Sequence, residues 1–164
     1  NNWYNSVPNN LIEYLFTPCG LGLKVLNFTF QKIFGINKSM KFMVHYTSIV
    51  NGRVEIGRNV VKSFANSNGC YIQGINGIII GDDTIFAPGV KIISANHDQK
   101  EFKKHIKVSP IKIGKDCWIG TNAILLPGVQ LGNRVTVGAG SVVTKSFPDN
   151  STIVGNPARM IRKK

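Results

Sequence analysis

The chain has 164 residues, of which 43% are hydrophobic and only 17% are charged, and it contains 17 glycines. This length fits one domain with a sizeable core, and the composition excludes intrinsic disorder. The formal net charge is +12, from 20 Lys and Arg against 8 Asp and Glu. Such a surplus indicates a partner with negative charge: a nucleic acid, an anionic membrane or a phosphate-bearing small ligand.

The three cysteines, Cys19, Cys70 and Cys117, are widely spaced. Their number and spacing argue against a disulfide framework and against a paired-cysteine metal site, so a reducing compartment fits best. The sequence contains no signal-peptide pattern. We therefore expect a cytoplasmic protein.

The first 46 residues hold nine of the 15 aromatic residues. Apolar residues at steps of three and four predict two short helices, separated by Thr17-Pro18-Cys19-Gly20. The positions that carry this pattern are Leu11, Tyr14 and Leu15 in the first helix and Leu23, Leu26, Phe30, Ile33 and Phe34 in the second. We expect residues 1–50 to cap the domain or to pack between subunits. The alternative is a helix lying on a membrane surface, because Glu13, Lys24 and Lys32 interrupt any spanning stretch.

The second part of the chain has a period of six residues. Aliphatic residues recur at Ile113, Ile119, Leu125, Leu131, Val137 and Val143, and an earlier run places Ile80, Phe86 and Ile92 at the same step. Glycine often follows, at Gly114, Gly120, Gly132 and Gly138. A period of six fits neither a helix nor a simple strand, but it fits a short strand followed by a tight corner. The pattern predicts an all-β solenoid whose ends need caps.

The two runs are out of phase, since Ile92 and Ile113 lie 21 residues apart. An insertion must leave the stack between them, and such loops commonly carry function. We therefore divide the chain into an N-terminal segment (1–50), a solenoid (51–147) with a protruding loop (98–110), and a C-terminal cap with a basic tail (148–164). The register between Ile56 and Ile78 stays open, because Lys62, Asn68 and Gly74 fall on the extrapolated aliphatic positions.

Three further motifs accompany the hexads: Ser94-Ala95-Asn96-His97-Asp98, Cys117-Trp118-Ile119-Gly120 and Val154-Gly155-Asn156-Pro157-Ala158-Arg159. Together they resemble the hexapeptide-repeat acetyltransferases, in particular the galactoside and maltose O-acetyltransferases and those of bacterial surface polysaccharides. The resemblance covers roughly residues 50–164. It implies a left-handed parallel β-helix, a homotrimer with active sites between subunits, acetyl-CoA as the donor, and no metal.

In this family resemblance His97 takes the place of the general base. A neutral imidazole can accept the proton of an acceptor hydroxyl as that hydroxyl attacks a thioester. Asp98 either orients His97 or is a solvated carboxylate, while His45 and His105 match no motif. The implied mechanism is direct transfer. A nucleophilic Cys117 competes with it, but the fifth hexad position directs Cys117 into the core.

The resemblance also implies binding residues for both substrates. Asn66 corresponds to an asparagine that holds the acceptor sugar, with Asn68 as its alternative. Trp118 packs near the thioester or is a plain structural aromatic, and a backbone N–H near Gly120-Thr121 would stabilise the oxyanion. The coenzyme is assigned to six residues: Thr121, Ala139 and Thr144 for the pantetheine arm, and Lys145, Arg159 and Arg162 for the phosphates. Lys163 and Lys164 are expected to form a solvated tail.

The expected function is transfer of an acetyl group from acetyl-CoA to a saccharide hydroxyl, on a surface polysaccharide or its precursor. An antibiotic, xenobiotic or nucleotide-sugar acetyltransferase of the same fold is the alternative enzyme. A zinc carbonic anhydrase of this fold does not fit the histidine spacing. A polyanion-binding module, using Lys100, Lys103, Lys104 and Lys107, is the non-enzymatic alternative.

No nucleic-acid recognition motif is present, so we expect no nucleic-acid partner. In the alternative interpretation of the amphipathic N-terminal segment, it makes a peripheral contact with the inner face of the membrane, close to lipid-linked acceptors.

Overall fold

The computed structural model describes residues 18–163. Helix α1 (Pro18–Phe28) continues into a π-helical turn (Thr29–Ile33), and helix α2 (Val61–Asn66) lies between the first two strands. Those strands, β1 (Ile49–Ile56) and β2 (Tyr71–Ile80), are long. The remaining strands are short: β3 (Ile85–Phe86), β4 (Lys91–Ile93), β5 (Ile111–Ile113), β6 (Trp118–Ile119), β7 (Ile124–Leu125), β8 (Gln130–Leu131), β9 (Thr136–Val137), β10 (Val142–Val143), β11 (Ser151–Val154) and β12 (Arg159–Lys163).

The strands pair in parallel along three rows. Row 1 contains the first halves of β1 and β2, followed by β4, β7 and β10. Row 2 contains the second halves of β1 and β2, followed by β5 and β8. Row 3 contains β3, β6, β9 and β11, with β12 antiparallel at its end. The chain therefore passes through rows 1, 2 and 3 in turn and then returns to row 1.

In the C-terminal half one such pass takes 18 residues, which is three hexads. The paired core residues are Ile113 with Leu131, Ile119 with Val137, and Leu125 with Val143. Each predicted hexad thus contributes one short strand and one corner. The six-residue period is confirmed, and we call each pass a coil.

The first aliphatic residue of each hexad points into the space between the rows. Ile92, Ile119 and Leu125 are completely buried there. The corners of adjacent coils also approach closely: a Cβ added to Gly114 would lie 2.4 Å from the carbonyl oxygen of Gly132. That corner has room only for glycine, which explains the small residues at the second hexad position.

The two N-terminal coils depart from the hexad step, which explains why their register could not be predicted from the sequence. Ile72 pairs with Ile92, 20 residues further on, so this coil is two residues longer than the regular ones. Helix α2 takes the place of a row 3 strand in the first coil. Its Phe64 is buried and packs edge-on against Phe86, with ring centroids 4.8 Å apart.

Two asparagine side chains join the N-terminal segment to the first coil. Asn27 donates to the carbonyl of Ala65 (3.0 Å) and accepts from the N–H of Tyr46 (2.9 Å). Asn37 donates to the carbonyl of Ser48 (2.8 Å) and accepts from the N–H of Val50 (2.7 Å). Asn37 thereby takes hydrogen bonds at the start of β1 that a further strand would otherwise make.

A third amide, that of Gln31, is buried within the N-terminal segment. Its Nε2 donates to the carbonyls of Met40 (3.3 Å) and Phe42 (2.9 Å), and its Oε1 accepts from the N–H of Val44 (3.2 Å). Gln31 lies in the second predicted helix, which is present as α1 with its π-helical turn. The first predicted helix lies outside the described residues. Within the described part of the chain, every helix is too short or too polar to cross a bilayer.

Replacing Gln31 with alanine is expected to lower the free energy of unfolding by about 2–3 kcal/mol, because buried backbone groups lose their partner. Urea unfolding followed by circular dichroism measures this change. Gln99→Ala is the matched control, since Gln99 is exposed on the loop. Equal stabilities of the two variants would show that the amide does not hold the cap.

Candidate active site

The insertion between β4 and β5 contains a hairpin, which we define as residues 96–107. His97 and His105 pair across it as an antiparallel bridge. The N–H of Asp98 donates to the carbonyl of Lys104, and the N–H of Ile106 donates to the carbonyl of Asn96, both at 2.9 Å. At the base, Nδ2 of Asn76 donates to the carbonyl of Ile106 (2.9 Å). The hairpin is therefore closed by backbone hydrogen bonds and held to the coil by the side chain of Asn76.

The hairpin fixes the protonation pattern of His97. Nδ1 of His97 lies 2.6 Å from the carbonyl oxygen of Phe102. Because a carbonyl oxygen can only accept, Nδ1 must carry the proton. In the neutral ring Nε2 is then left with its lone pair, and the residue is exposed. His97 is thus prepared to accept a proton from a bound molecule.

Asp98 does not contact the imidazole of His97. One carboxylate oxygen, Oδ1, accepts from the N–H groups of Lys100 (2.7 Å) and Glu101 (3.2 Å) and so shapes the turn of the hairpin. The group that orients His97 is instead the Phe102 carbonyl. Sequence reasoning missed this group, since a backbone carbonyl leaves no signature in the residue types.

The other two histidines have different surroundings. The ring of His105 lies against that of His97, with centroids 4.6 Å apart. His45 is buried in the N-terminal segment and stacks on Tyr46. Burial lowers the pKa of His45, and its Nδ1 accepts from the hydroxyl of Thr47 (2.9 Å). His45 is therefore a neutral structural residue, and His105 belongs to the His97 hairpin.

The corners between rows form the three long edges of the stack. Edge 3–1, between rows 3 and 1, contains residues 67–70, 87–90, 120–123, 138–141 and 155–158. Thr121 and Ala139 lie there on adjacent coils, and the N–H of Gly140 donates to the carbonyl of Thr121 (2.8 Å). Asn66 ends α2 immediately before this edge. The structure thus brings two predicted coenzyme residues and the predicted acceptor residue to one edge.

Edge 1–2, between rows 1 and 2, contains residues 74–77, the insertion 94–110, and residues 126–129 and 144–146. His97, Thr144 and Lys145 therefore lie on this second edge. Row 1 separates the two edges, and a strand of three residues spans about 10 Å. One protomer consequently places His97 and the Thr121 corner on opposite sides of a row.

The C-terminal cations lie at the end of the stack. Nζ of Lys145 is 5.7 Å from the ring centroid of Phe147. Arg159 and Arg162 lie on β12, whose side chains are exposed, and Nη1 of Arg159 donates to the carbonyl of Ala158 (3.0 Å). Among the described residues none of these three cations forms an ion pair with a carboxylate. They remain available to a bound phosphate.

Two details change the expectation for the thioester end. The N–H of Gly120 already donates to the carbonyl of Val137 (2.8 Å), so of the pair Gly120-Thr121 only Thr121 offers an N–H. Trp118 is 55% exposed on the outer face of row 3 and is therefore not a core residue. The exposure of Trp118 follows from the coil geometry, because alternate side chains of a strand point to opposite faces.

Cys117 is placed as its hexad position predicted. It is 1% exposed, and its thiol lies 3.2 Å from the carbonyl oxygen of Gly132. Burial raises the pKa of the Cys117 thiol, and the same holds for Cys70. A thiol that is buried and protonated is a poor nucleophile. As for metals, residues 18–163 contain no cluster of three ligating side chains.

Comparison with known proteins is consistent with the repeat pattern. Residues 110–145 match the family described as bacterial transferase hexapeptide (six repeats). The chain is 34% identical to an Escherichia coli K12 protein provisionally named lipopolysaccharide biosynthesis O-acetyl transferase, over 76% of this chain and 72% of that protein. It is 36% identical to the galactoside O-acetyltransferase of the same strain, over 67% of this chain and 54% of that enzyme. The chain thus spans about half the length of the galactoside enzyme.

Solved structures give the same result. A maltose O-acetyltransferase from Clostridium difficile 630 has a TM-score of 0.63 and 30% identity, covering 87% of this chain and 84% of that one. A galactoside acetyltransferase in complex with coenzyme A has a TM-score of 0.61 and 26% identity, covering 96% and 84%. The resemblance that the sequence motifs indicated is confirmed.

Native Cys117 is expected to react with iodoacetamide at least about tenfold more slowly than in urea, because the thiolate is disfavoured and shielded. Peptide mass spectrometry on the chain labelled at pH 8 measures the reaction at each cysteine separately. The urea-unfolded chain serves as the control. Similar rates in both states would show that Cys117 is accessible in the folded protein. A mechanism with Cys117 as the nucleophile would then have to be considered.

Proposed function

The chain belongs to the hexapeptide-repeat family of bacterial transferases, and we propose that it transfers an acetyl group from acetyl-CoA to a hydroxyl of a saccharide. The observation that carries the proposal is His97. Its Nδ1 is tied to the Phe102 carbonyl, so its Nε2 is free to take a proton. The relatives named above as galactoside, maltose and lipopolysaccharide O-acetyltransferases support a saccharide acceptor.

The proposed reaction is a direct transfer. Nε2 of His97 takes the proton of the acceptor hydroxyl while the hydroxyl oxygen attacks the thioester carbonyl carbon. The N–H of Thr121 donates to the developing oxyanion. When the carbon–sulfur bond breaks, the imidazolium returns the proton to the leaving thiolate. The products are an acetyl ester and coenzyme A, with no acyl-enzyme in between.

Acetyl-CoA is the donor that the exposed cations fit. Lys145, Arg159 and Arg162 are assigned to its phosphates, because cationic side chains and phosphate oxygens form strong charge-assisted hydrogen bonds. Thr121, Ala139 and Thr144 are assigned to the pantetheine arm. The related galactoside acetyltransferase solved in complex with coenzyme A supports acetyl-CoA as the donor. Asn66 is assigned to the acceptor, since an amide can both donate to and accept from a sugar hydroxyl.

We infer that three copies assemble and that each active site lies between two of them. His97 lies on edge 1–2 and the Thr121 corner on edge 3–1, so one protomer alone does not bring them together. Placing edge 1–2 of one protomer against edge 3–1 of the next completes the site. Large apolar residues on the outer faces, including Ile49 (54% exposed) and Ile85 (53%), favour such packing. The coils are inferred to wind left-handed, as the family resemblance implies.

His97→Ala is expected to lower kcat by a factor of about 10²–10⁴, because the reaction loses its general base. The affinity for acetyl-CoA, measured by calorimetry, should stay within about twofold. Turnover is measured as free thiol released from acetyl-CoA with a panel of saccharides, and the acetylated sugar is identified by mass spectrometry.

Gln99→Ala, in the same hairpin, is the control and should retain wild-type kcat. If His97→Ala retains kcat, His97 is not the base. If no saccharide in the panel is acetylated by the wild-type chain, the proposed acceptor class is wrong.

A further inference from the structure

The hairpin 96–107 contains two acidic residues, and both are used internally. Oδ1 of Asp98 accepts two backbone N–H groups of the hairpin turn. The carboxylate of Glu101 forms an ion pair with Lys104, at 2.7 Å. The hairpin also contains four lysines, so these two carboxylates leave it with a net charge of +2.

That remaining charge is positive. Lys100, Lys103 and Lys107 are exposed, and none of them forms an ion pair with any residue in the range 18–163. Like charges on one short hairpin repel each other, so their proximity costs stability unless an anion binds between them. The three lysines thus form a net cationic surface on the segment that carries His97.

Phe102 adds an apolar element to the same surface. Its side chain is 74% exposed at the end of the hairpin, while its carbonyl is the group that orients His97. An exposed aromatic ring is a suitable platform for the C–H face of a sugar. A sugar on this ring would lie on the hairpin that also carries His97 and the three lysines.

We propose that the acceptor of this enzyme is an anionic saccharide, with its sugar ring on Phe102 and its negative group among Lys100, Lys103 and Lys107. The inference rests on the proposed function and specifies the substrate class of that site. The negative group is a carboxylate or a phosphate ester, which share the same cation-binding chemistry.

The experiment compares methyl hexuronides with the corresponding methyl hexuronamides, in the gluco, galacto and manno series. The two compounds of a pair have the same hydroxyl groups and differ only in charge. For the configuration that reacts, kcat/KM of the uronide should exceed that of the uronamide by about tenfold at low salt, and added NaCl should reduce the difference. Sugar 6-phosphates, compared with the 6-O-methyl sugars that have the same free hydroxyl groups, form the arm that tests a phosphate ester.

The variant with Lys100, Lys103 and Lys107 all changed to Gln should lose the preference for the charged sugar while keeping its kcat/KM on the uronamide. The matched control changes Lys32, Lys38 and Lys41 to Gln and should behave as wild type. Calorimetric binding of the same sugars gives a readout that does not depend on turnover.

The outcomes separate the two claims. Equal kcat/KM for charged and neutral sugars, or a preference that survives in the triple variant, overturns the anionic acceptor but leaves the acetyltransferase in place. If the charged sugar binds in a lysine-dependent way but is not acetylated, the anionic ligand is supported and the proposed acetyltransferase activity is overturned.

A second inference comes from helix α1, which buries polar side chains and exposes apolar ones. Its polar Asn27, and Gln31 in the π-helical turn, are 1% and 5% exposed. Its apolar Leu21, Val25 and Phe28 are 58%, 56% and 56% exposed. The spacing of four and three residues puts these three on one side of the helix. Ile33 (69% exposed) and Phe34 (67%) follow them, and we call these five residues the apolar stripe.

Among the described residues of the N-terminal segment, all charges have one sign. Residues 18–48 contain Lys24, Lys32, Lys38 and Lys41 and no Asp or Glu. A second copy of this segment would bring eight lysines together, so charge disfavours self-association through the stripe. An anionic lipid surface would accept both the apolar side chains and the lysines.

We propose that the apolar stripe inserts into the surface of an anionic bilayer, on the cytoplasmic side, where acetyl-CoA is available. The full chain is mixed with vesicles of phosphatidylcholine alone or with about 30% phosphatidylglycerol, and bound protein is separated by flotation. Binding should be at least about tenfold stronger to the anionic vesicles and should weaken with salt.

Val25→Gln with Phe28→Gln should remove vesicle binding without unfolding, since both side chains are exposed. The hairpin triple variant, Lys100, Lys103 and Lys107 to Gln, is the control and should bind as wild type. Equal binding to neutral vesicles, or no binding to either, overturns the proposal. A change of oligomeric state in the stripe variant, seen by sedimentation, identifies a second copy as the occupant and also overturns it.

Discussion

The narrow interior of the coil is the constraint on which the rest of the structure depends. Three rows enclose a space that is filled by one aliphatic side chain per row and coil and by the residues at the fifth hexad position. A Cβ added to Gly114 would lie 2.4 Å from the carbonyl oxygen of Gly132, which shows how little room a corner leaves. An insertion cannot enter the interior, and it cannot widen a row without breaking the parallel pairing. It can leave only at a corner, as the segment between β4 and β5 does.

This constraint also decides what the sequence reveals. From Ile113 to Val143 every coil has 18 residues, so the aliphatic residues recur at a fixed step of six and the fold can be predicted from the sequence. Nearer the N-terminus a longer coil and helix α2 break the step, and Phe64 fills the core from a helix instead of a strand. The capping amides leave no pattern, because a buried Gln31 and an exposed Gln99 are the same residue type. Burial, which distinguishes them, depends on contacts distant in the chain.

The candidate site divides in the same way. His97 was identified by its motif at the junction of a coil and an insertion, and Cys117 was assigned to the core by its hexad position. The proton on Nδ1, the Phe102 carbonyl that holds it and the neighbouring ring of His105 could not be predicted, since they arise from the closure of the hairpin backbone. The engagement of the Gly120 N–H by Val137 likewise depends on the register between coils.

The coils and the hairpin are therefore under different structural constraints. Residues such as Thr121 and Ala139 lie on corners whose backbone is fixed by the coils on either side, so the surface that they form can vary little. The lysines of the hairpin are exposed and do not belong to the packed core, so their replacement costs little stability. A constant donor site can thus be combined with an acceptor surface that changes freely. The orienting contact to His97 comes from a backbone carbonyl, which is retained whatever side chain occupies position 102.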